Sequence, residues 1–173
     1  MAGLLAALVQ AGEKPLKALR VCEVLKDLKA YHGKTVSVVG RYSASDEGRW
    51  LGEETCARKL ATGDFVWPNL LWLECCRTPA PMPPSPFVLD GAVLRRKLAL
   101  IKRGTKLRVY KGPGATDWSD TWAVVYGRLE THERLEVAIT PSGKMGYGFG
   151  HLSAAPAQLI YEAGLGIKFL PEK

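Results

Sequence analysis

Residues Tyr31 to Tyr42 read Tyr-His-Gly-Lys-Thr-Val-Ser-Val-Val-Gly-Arg-Tyr, a β-branched run closed by Gly-Arg. β-Branched side chains pack well on a pleated surface, so the run predicts a core strand. Val36 and Val38 point one way in a strand, and Val39 interrupts the alternation just before Gly40, which predicts a bulge or sharp bend. A bend there lets one strand serve two halves of a curled sheet. Val124 to Arg128, Val-Val-Tyr-Gly-Arg, echoes the ending. The two runs are expected to be core strands of one small barrel, with Arg41 and Arg128 emerging on one rim.

Upstream, Leu16, Leu19, Cys22, Leu25 and Leu28 recur every third residue, with charged residues between them, which predicts a short amphipathic helix stopping near Gly33. Downstream, Ser43 to Gly48 is polar and turn-rich, Arg49 to Leu51 reads as a short returning strand, and a polar stretch runs from Gly52 to Asp64. Leu70 to Leu73 is continuously apolar, as in a strand covered on both faces. Trp67 and Trp72 are expected to fill the core or cap one end of the barrel, with a stacking surface for bases or sugars as the alternative. Five prolines between Thr78 and Phe87 make a stiff extended connector. Asp90 suits the N-cap of a helix running to about Ile101. Val93, Leu94, Leu98, Leu100 and Ile101 share one side of it, Arg95, Arg96, Lys102 and Arg103 the other, and Lys97 snorkels from the apolar arc.

Thr105 to Tyr110 continues as a basic strand and Lys111 to Gly114 as a turn. Along Trp118 to Glu130, Trp122, Val124 and Tyr126 face one way and Ala123, Val125 and Gly127 the other. Thr131 to Glu133 is short enough for a tight hairpin into Leu135, Val137 and Ile139. After a turn at Pro141 to Lys144, glycines alternate with Tyr147, Phe149 and His151, and Ala157 to Tyr161 is the last strand candidate.

With 173 residues, 47% of them hydrophobic, the chain fits one domain with a substantial core. Its net charge of +7 is local. Between Asp90 and Asp117 there are eight Lys and Arg and no acid, so that segment carries +8 and the remainder −1. Such an excess marks a surface for nucleic acid, phosphate or lipid headgroups, or else a solvated helix and hairpin. The four cysteines form no Cys-x-x-Cys pair, which argues against a zinc ribbon. If the chain is exported, Cys22 and Cys56 are the expected disulfide, because the neighbours Cys75 and Cys76 seldom bond each other. In a reducing compartment all four would be small buried apolar residues. Ala2 to Val9 is apolar, and Val9-Gln10-Ala11 suits a signal peptidase. Residues 1–15 therefore read as a signal remnant or flexible N-terminus, 16–173 as one domain, and export is favoured over the cytoplasm. No other uncharged apolar run reaches the about 20 residues of a membrane span.

The order helix, bent strand with Gly, two strands, helix, strand pair resembles an OB-fold, the five-stranded barrel that binds oligonucleotides and oligosaccharides. Tyr31-x-Gly33-Lys34-x-Val36-x-Val38-x-Gly40 resembles the first-strand pattern of many bacterial OB-like domains, and the chain as a whole resembles small, mostly uncharacterised bacterial OB-like proteins. The resemblance covers roughly Cys22 to Glu162. It implies a mainly β fold with accessory helices: a five- to six-stranded Greek-key barrel, an N-terminal helix and a helix after the third strand. It implies no activity, and it leaves Leu135 to Ile139 as an extra strand or extended hairpin. Lys144 to Phe149 is also similar to the ribonucleoprotein motif of cold-shock domains, which implies base stacking by Tyr147 and Phe149. The preferred reading there is a Gly-rich loop that lets both rings pack.

No catalytic residue, metal ligand set or cofactor is assigned. His32, His132 and His151 lie far apart in sequence from one another and from the cysteines, and adjacent Glu53 and Glu54 face different ways and are expected to be solvated. Two functions of different class remain. One is an exported, non-enzymatic OB-like module binding a protein, glycan or small anionic ligand. The other is a cytoplasmic single-stranded nucleic-acid binder. It would use the basic segment with Arg95, Arg96, Lys102, Arg103, Lys106, Arg108 and Lys111, and Trp72, Tyr110, Tyr147 or Phe149 as stacking platforms; Arg41 and Arg128 are candidates for ligand or nucleic-acid binding in either reading.

Overall fold

A computed structural model describes residues 14–75, 79–104, 121–141 and 143–171. Residues 1–13 of the segment expected to be a signal remnant or flexible N-terminus, Cys76 and the basic stretch holding Lys106, Arg108, Tyr110 and Lys111 lie outside the described residues.

The chain begins with β1 (Leu19–Arg20), α1 (Val21–Lys26) and α2 (Leu28–Tyr31), then β2 (Thr35–Ser45), β3 (Gly48–Gly52), β4 (Ala61–Thr62), β5 (Phe65–Val66) and β6 (Leu70–Glu74). After the proline-rich connector come α3 (Gly91–Gly104), β7 (Trp122–Thr131), β8 (Glu136–Thr140), β9 (Gly143–Tyr147), β10 (Ala157–Tyr161) and β11 (Ile167–Phe169). Five strands close on themselves: β2 pairs β3, β3 pairs β6, β6 pairs β10, β10 pairs β7, and β7 returns to β2. Within this ring only β6 and β10 run parallel. Taken in chain order, the ring places the fifth strand between the third and the fourth, and α3 follows the third. The fold is an OB-like barrel with accessory helices.

β2 makes the closure possible because residues 35–41 pair with β7 and residues 41–45 with β3. The expected bulge at Val39 is not there: the β2–β7 register runs without interruption from Thr35 opposite Arg128 to Arg41 opposite Trp122. Val39 is apolar because both faces of this strand are covered. Val38 and Tyr42 point into the barrel with Leu51, Leu71, Val125, Leu129 and Leu159. Val39 instead joins Val124, Ala18 and Ile101 in a second core outside the barrel, under α3. Gly40 is needed for closeness, since a Cβ there would sit 2.8 Å from Leu51 Cγ and 2.9 Å from the Gly52 carbonyl oxygen. The same antiparallel register puts Arg41 and Arg128 at opposite ends of the ladder, not on one rim.

The three-residue spacing upstream forms two short helices instead of one. Leu19 and Arg20 are drawn into parallel pairing with β2. Asp27 then breaks the helix with φ −147° and ψ 64°, its carboxylate accepting the Ala30 N–H. Asp90 caps α3 as expected, Oδ1 accepting the N–H groups of Ala92 and Val93 at 3.0 Å. Leu100, placed on the apolar side from the wheel, is 48% exposed. Lys97 lies in the arc because it forms an ion pair with Glu23. The connector lies against the barrel: Arg128 donates to the Pro79 carbonyl, Phe87 meets Tyr126 edge-on, and Leu16 pairs with Val88 and Asp90. β8 does not fold back on β7, whose two edges are taken by β2 and by β10 with β11; it pairs with β9 in a separate hairpin.

Candidate functional site

The alternation of β3 and β6 sends Leu51, Leu71 and Leu73 inward and leaves Trp50, Gly52, Leu70 and Trp72 outside. Cross-strand register then lines up Ser43, Trp50, Trp72 and Gln158 across four strands. The indoles of Trp50 and Trp72 stack with centroids 6.4 Å apart and 22° between planes. Next to this row lies a groove of about 200 Å³, lined by Arg41, Ser43, Trp50, Glu54, Asn69 and Leu70 among others. Arg41 Nη1 donates to Glu54 Oε1 at 2.6 Å, and Asn69 Nδ2 donates to the Glu54 carbonyl at 3.2 Å, so the polar wall is held in one geometry. An aromatic floor with fixed amide, hydroxyl, carboxylate and guanidinium groups can stack on a flat apolar ring face and hydrogen-bond its polar edge.

Glu53 and Glu54 do face different ways, but Glu53 is not solvated. It is 4% exposed, pairs with Arg20, and its Oε2 accepts the Cys22 N–H at 3.1 Å. The residue directly after β3 thereby places a buried charge at the start of α1. Cys22 and Cys56 are joined by a disulfide with Cα atoms 5.4 Å apart, fixing the loop after Glu54 to the same helix.

The Gly-aromatic run works in the reverse of the expected sense. Its glycines pack and Tyr147 does not. A Cβ on Gly146 would overlap the Trp67 indole, and one on Gly150 would overlap Trp72, as would one on Gly48 from the β2–β3 turn. The segment between β7 and β10 thus lies over two tryptophans by presenting bare backbone to them. Trp67 is 1% exposed, whereas Tyr147 is 52% exposed and Phe149 stacks on His132 at 4.4 Å. His32 accepts the Thr131 N–H through Nδ1, and His151 faces Glu47 at 3.6 Å, so the three histidines serve separate contacts.

The remaining sequence-predicted residues divide between surfaces. Arg95, Arg96, Lys102 and Arg103 are exposed on α3, with Lys102 Nζ 5.8 Å from the Trp122 ring centroid. Because α3 covers the β2–β7 seam, these cations lie across the barrel from β6, where Tyr147 and Phe149 stand. Arg128 is paired with Glu130.

No family model, curated protein or solved structure matches the chain.

Trp50 was legible as a strand residue but not as a site residue; the signal was its place opposite Leu51 in the alternation. Also missed was the barrel mouth, where inward-facing Tyr42, Arg49, Cys75 and Tyr161 meet. Arg49 Nη1 lies 3.7 Å from Cys75 Sγ and hydrogen-bonds Tyr161, which holds the guanidinium above its ordinary pKa. Burial raises the pKa of both tyrosines, and in Tyr161 it outweighs the opposing effect of Arg49. Among the described residues no helix is long and apolar enough to cross a membrane.

Proposed function

We propose that the chain is an exported, non-enzymatic OB-like binding module that holds a neutral polar ligand, with a glycan as the fitting class, on the Trp50 groove. The observation that carries this reading is the Trp50–Trp72 stack on the outer face of β3 and β6, beside the fixed Arg41–Glu54–Asn69 wall. Sugar rings offer an apolar face to an indole and hydroxyls to such a wall. The local charge supports the same class: Glu53 and Glu54 line the groove, and Arg41 is already paired with Glu54, a poor setting for a phosphate backbone. The Cys22–Cys56 bridge supports an oxidising compartment.

Titration of the protein with a panel of neutral oligosaccharides, followed by tryptophan emission and amide NMR shifts, tests the reading. Saturable shifts at Trp50, Ser43 and Asn69 that vanish in Trp50→Ala are expected; a panel that moves none of them sinks it. Mass spectrometry of the native protein with and without reductant tests the export half, which four free thiols and an intact Met1 would overturn.

A second reading is kept by one observation, the shared solvent face of Arg95, Arg96, Lys102 and Arg103 on α3. In that reading the chain binds single-stranded nucleic acid through the basic helix, without help from Tyr147 or Phe149. A mobility shift at low salt that weakens steeply as salt rises is its required result.

A further inference from the structure

A second depression, independent of the Trp50 groove, lies at the other side of the disulfide. Three walls enclose a cleft of about 450 Å³: α1 with α2, strand β4, and the chain just after β7. That volume is within the range of small-molecule pockets, about 300–1,000 Å³. Its apolar lining is four leucines, Leu25, Leu28, Leu60 and Leu135, of which the last two are only half-buried. Its rim carries Lys26 and Lys29 on the helical wall and Arg134 on the opposite one, all exposed and none with an acidic partner among the described residues. Asp27 and Glu133 share the rim. Three cations against these two carboxylates give the rim a net charge of +1, and the Asp27 carboxylate is engaged in capping Ala30.

The walls are tied to one another. The Cys22–Cys56 disulfide joins the helical wall to the loop that leads into β4. Thr62 in β4 donates its hydroxyl to the Leu135 carbonyl at 3.2 Å, and the Thr62 hydroxyl oxygen in turn accepts the Trp67 indole N–H at 3.0 Å. A cleft fixed on three sides does not have to be ordered by its ligand, which lowers the entropic cost of binding.

We propose that this cleft binds a small amphipathic carboxylate, an apolar chain seated on the leucines with its anionic head among Lys26, Lys29 and Arg134. The apolar floor selects the chain and the unpaired cations select the head; neither a neutral sugar nor a bare phosphate uses both.

The test is calorimetric titration of the full chain with sodium decanoate, with decanol as the uncharged probe and acetate as the chainless one. Saturable decanoate binding is expected, at least tenfold tighter than decanol, with no acetate binding. The charge-reversed variant Lys29→Glu with Arg134→Glu, both positions exposed, is expected to keep its unfolding midpoint and bind decanoate at least tenfold more weakly. Joint replacement of Cys22 and Cys56 by Ser is expected to weaken binding by loosening one wall, while Trp50→Ala leaves it unchanged. Absence of saturable decanoate binding overturns the proposal. So does equal affinity for decanoate and decanol, or loss of decanoate binding in Trp50→Ala, which would move the ligand to the other site.

Discussion

Two outer faces of the same barrel are covered in opposite ways. Over the β2–β7 seam, α3 is sealed down by branched aliphatic side chains, Val39 and Val124 from the sheet and Ile101 from the helix. Over β3 and β6, the segment between β7 and β10 is laid on tryptophans by glycines, with Gly146 on Trp67 and Gly150 on Trp72. Interdigitated aliphatic side chains bury area on both partners and make a helix part of the cooperative core. Backbone resting on an indole buries less and depends on one ring holding its place. The open groove lies beside the second cover: Gly150 packs against half-buried Trp72, and Trp50, one strand over and equally half-buried, lines the groove. The exposed cations of α3, Arg95, Arg96, Lys102 and Arg103, sit over the first face and not beside Trp50.

The strongest way to break this contrast is Ile101→Ala. Ile101 is 2% exposed, and truncating such a residue costs about 2–5 kcal/mol. If α3 belongs to the cooperative core, urea unfolding followed by circular dichroism and by tryptophan emission shifts equally by that amount. A loss confined to helical signal would make α3 a separately melting layer and remove half of the comparison.

Gly150→Ala probes the other cover and is expected to cost less, about 1–3 kcal/mol, the usual range for overpacking. The position has φ +76° and no room against Trp72, so the added methyl lifts the segment rather than unfolding the barrel. Hydrogen exchange is expected to rise around residues 146–155 while β2 and β7 stay protected. Uniform loss of protection would show that the glycine-laid segment is as integral as α3.

Tyr161→Phe asks whether the barrel mouth, which both faces share, responds as one unit. Removing the hydroxyl partner of Arg49 is expected to cost about 1 kcal/mol at neutral pH. The pH dependence has a definite sign. Burial raises the folded pKa of Tyr42 and Tyr161 above the unfolded value of about 10, so the folded state holds these protons more tightly. Their contribution is fully present below about pH 10 and is lost as pH rises through the raised folded values. Wild-type stability is therefore expected to fall above pH 10, and the fall to be shallower in Tyr161→Phe. Identical slopes would mean that Tyr161 is not neutral and buried in the folded state.

The barrel was readable in the chain because its signals are local. Val36 to Gly40, Leu70 to Leu73 and Trp122 to Tyr126 each carry strand periodicity or a β-rich run, and Asp90 announces the helix that begins at Gly91. What misled depends on neighbours distant in sequence. Val39 breaks the alternation only if one face of β2 is assumed wet, and it is covered by a helix about sixty residues later. Leu135 to Ile139 has the spacing of a hairpin on β7, yet β7 has no free edge to offer. Glycines at 146, 148 and 150 look like a loop for Tyr147 and Phe149 until Trp67 and Trp72 are known to lie beneath them. The candidate groove was least legible of all, since it needs Arg41, Trp50 and Asn69 from three parts of the chain, and only register brings them together.

The smallest effect sharpens the comparison most narrowly. Ser37 lies on the outer row of β2 with Val39, is 5% exposed, and its hydroxyl has no hydrogen-bond partner among the described residues. A buried hydroxyl left unsatisfied has been stripped of water without compensation, so deleting it removes a penalty as well as a few van der Waals contacts. Ser37→Ala is accordingly expected to leave stability unchanged or to raise it by up to about 1 kcal/mol in urea unfolding. The wall of the Trp50 groove is the reverse case, where Asn69 and Glu54 are bonded to their surroundings and their removal strands a partner. A clear destabilisation in Ser37→Ala would mean that the sealed face, like the open one, is held by polar contacts, and the distinction between an aliphatic seal and a polar-walled groove would fail.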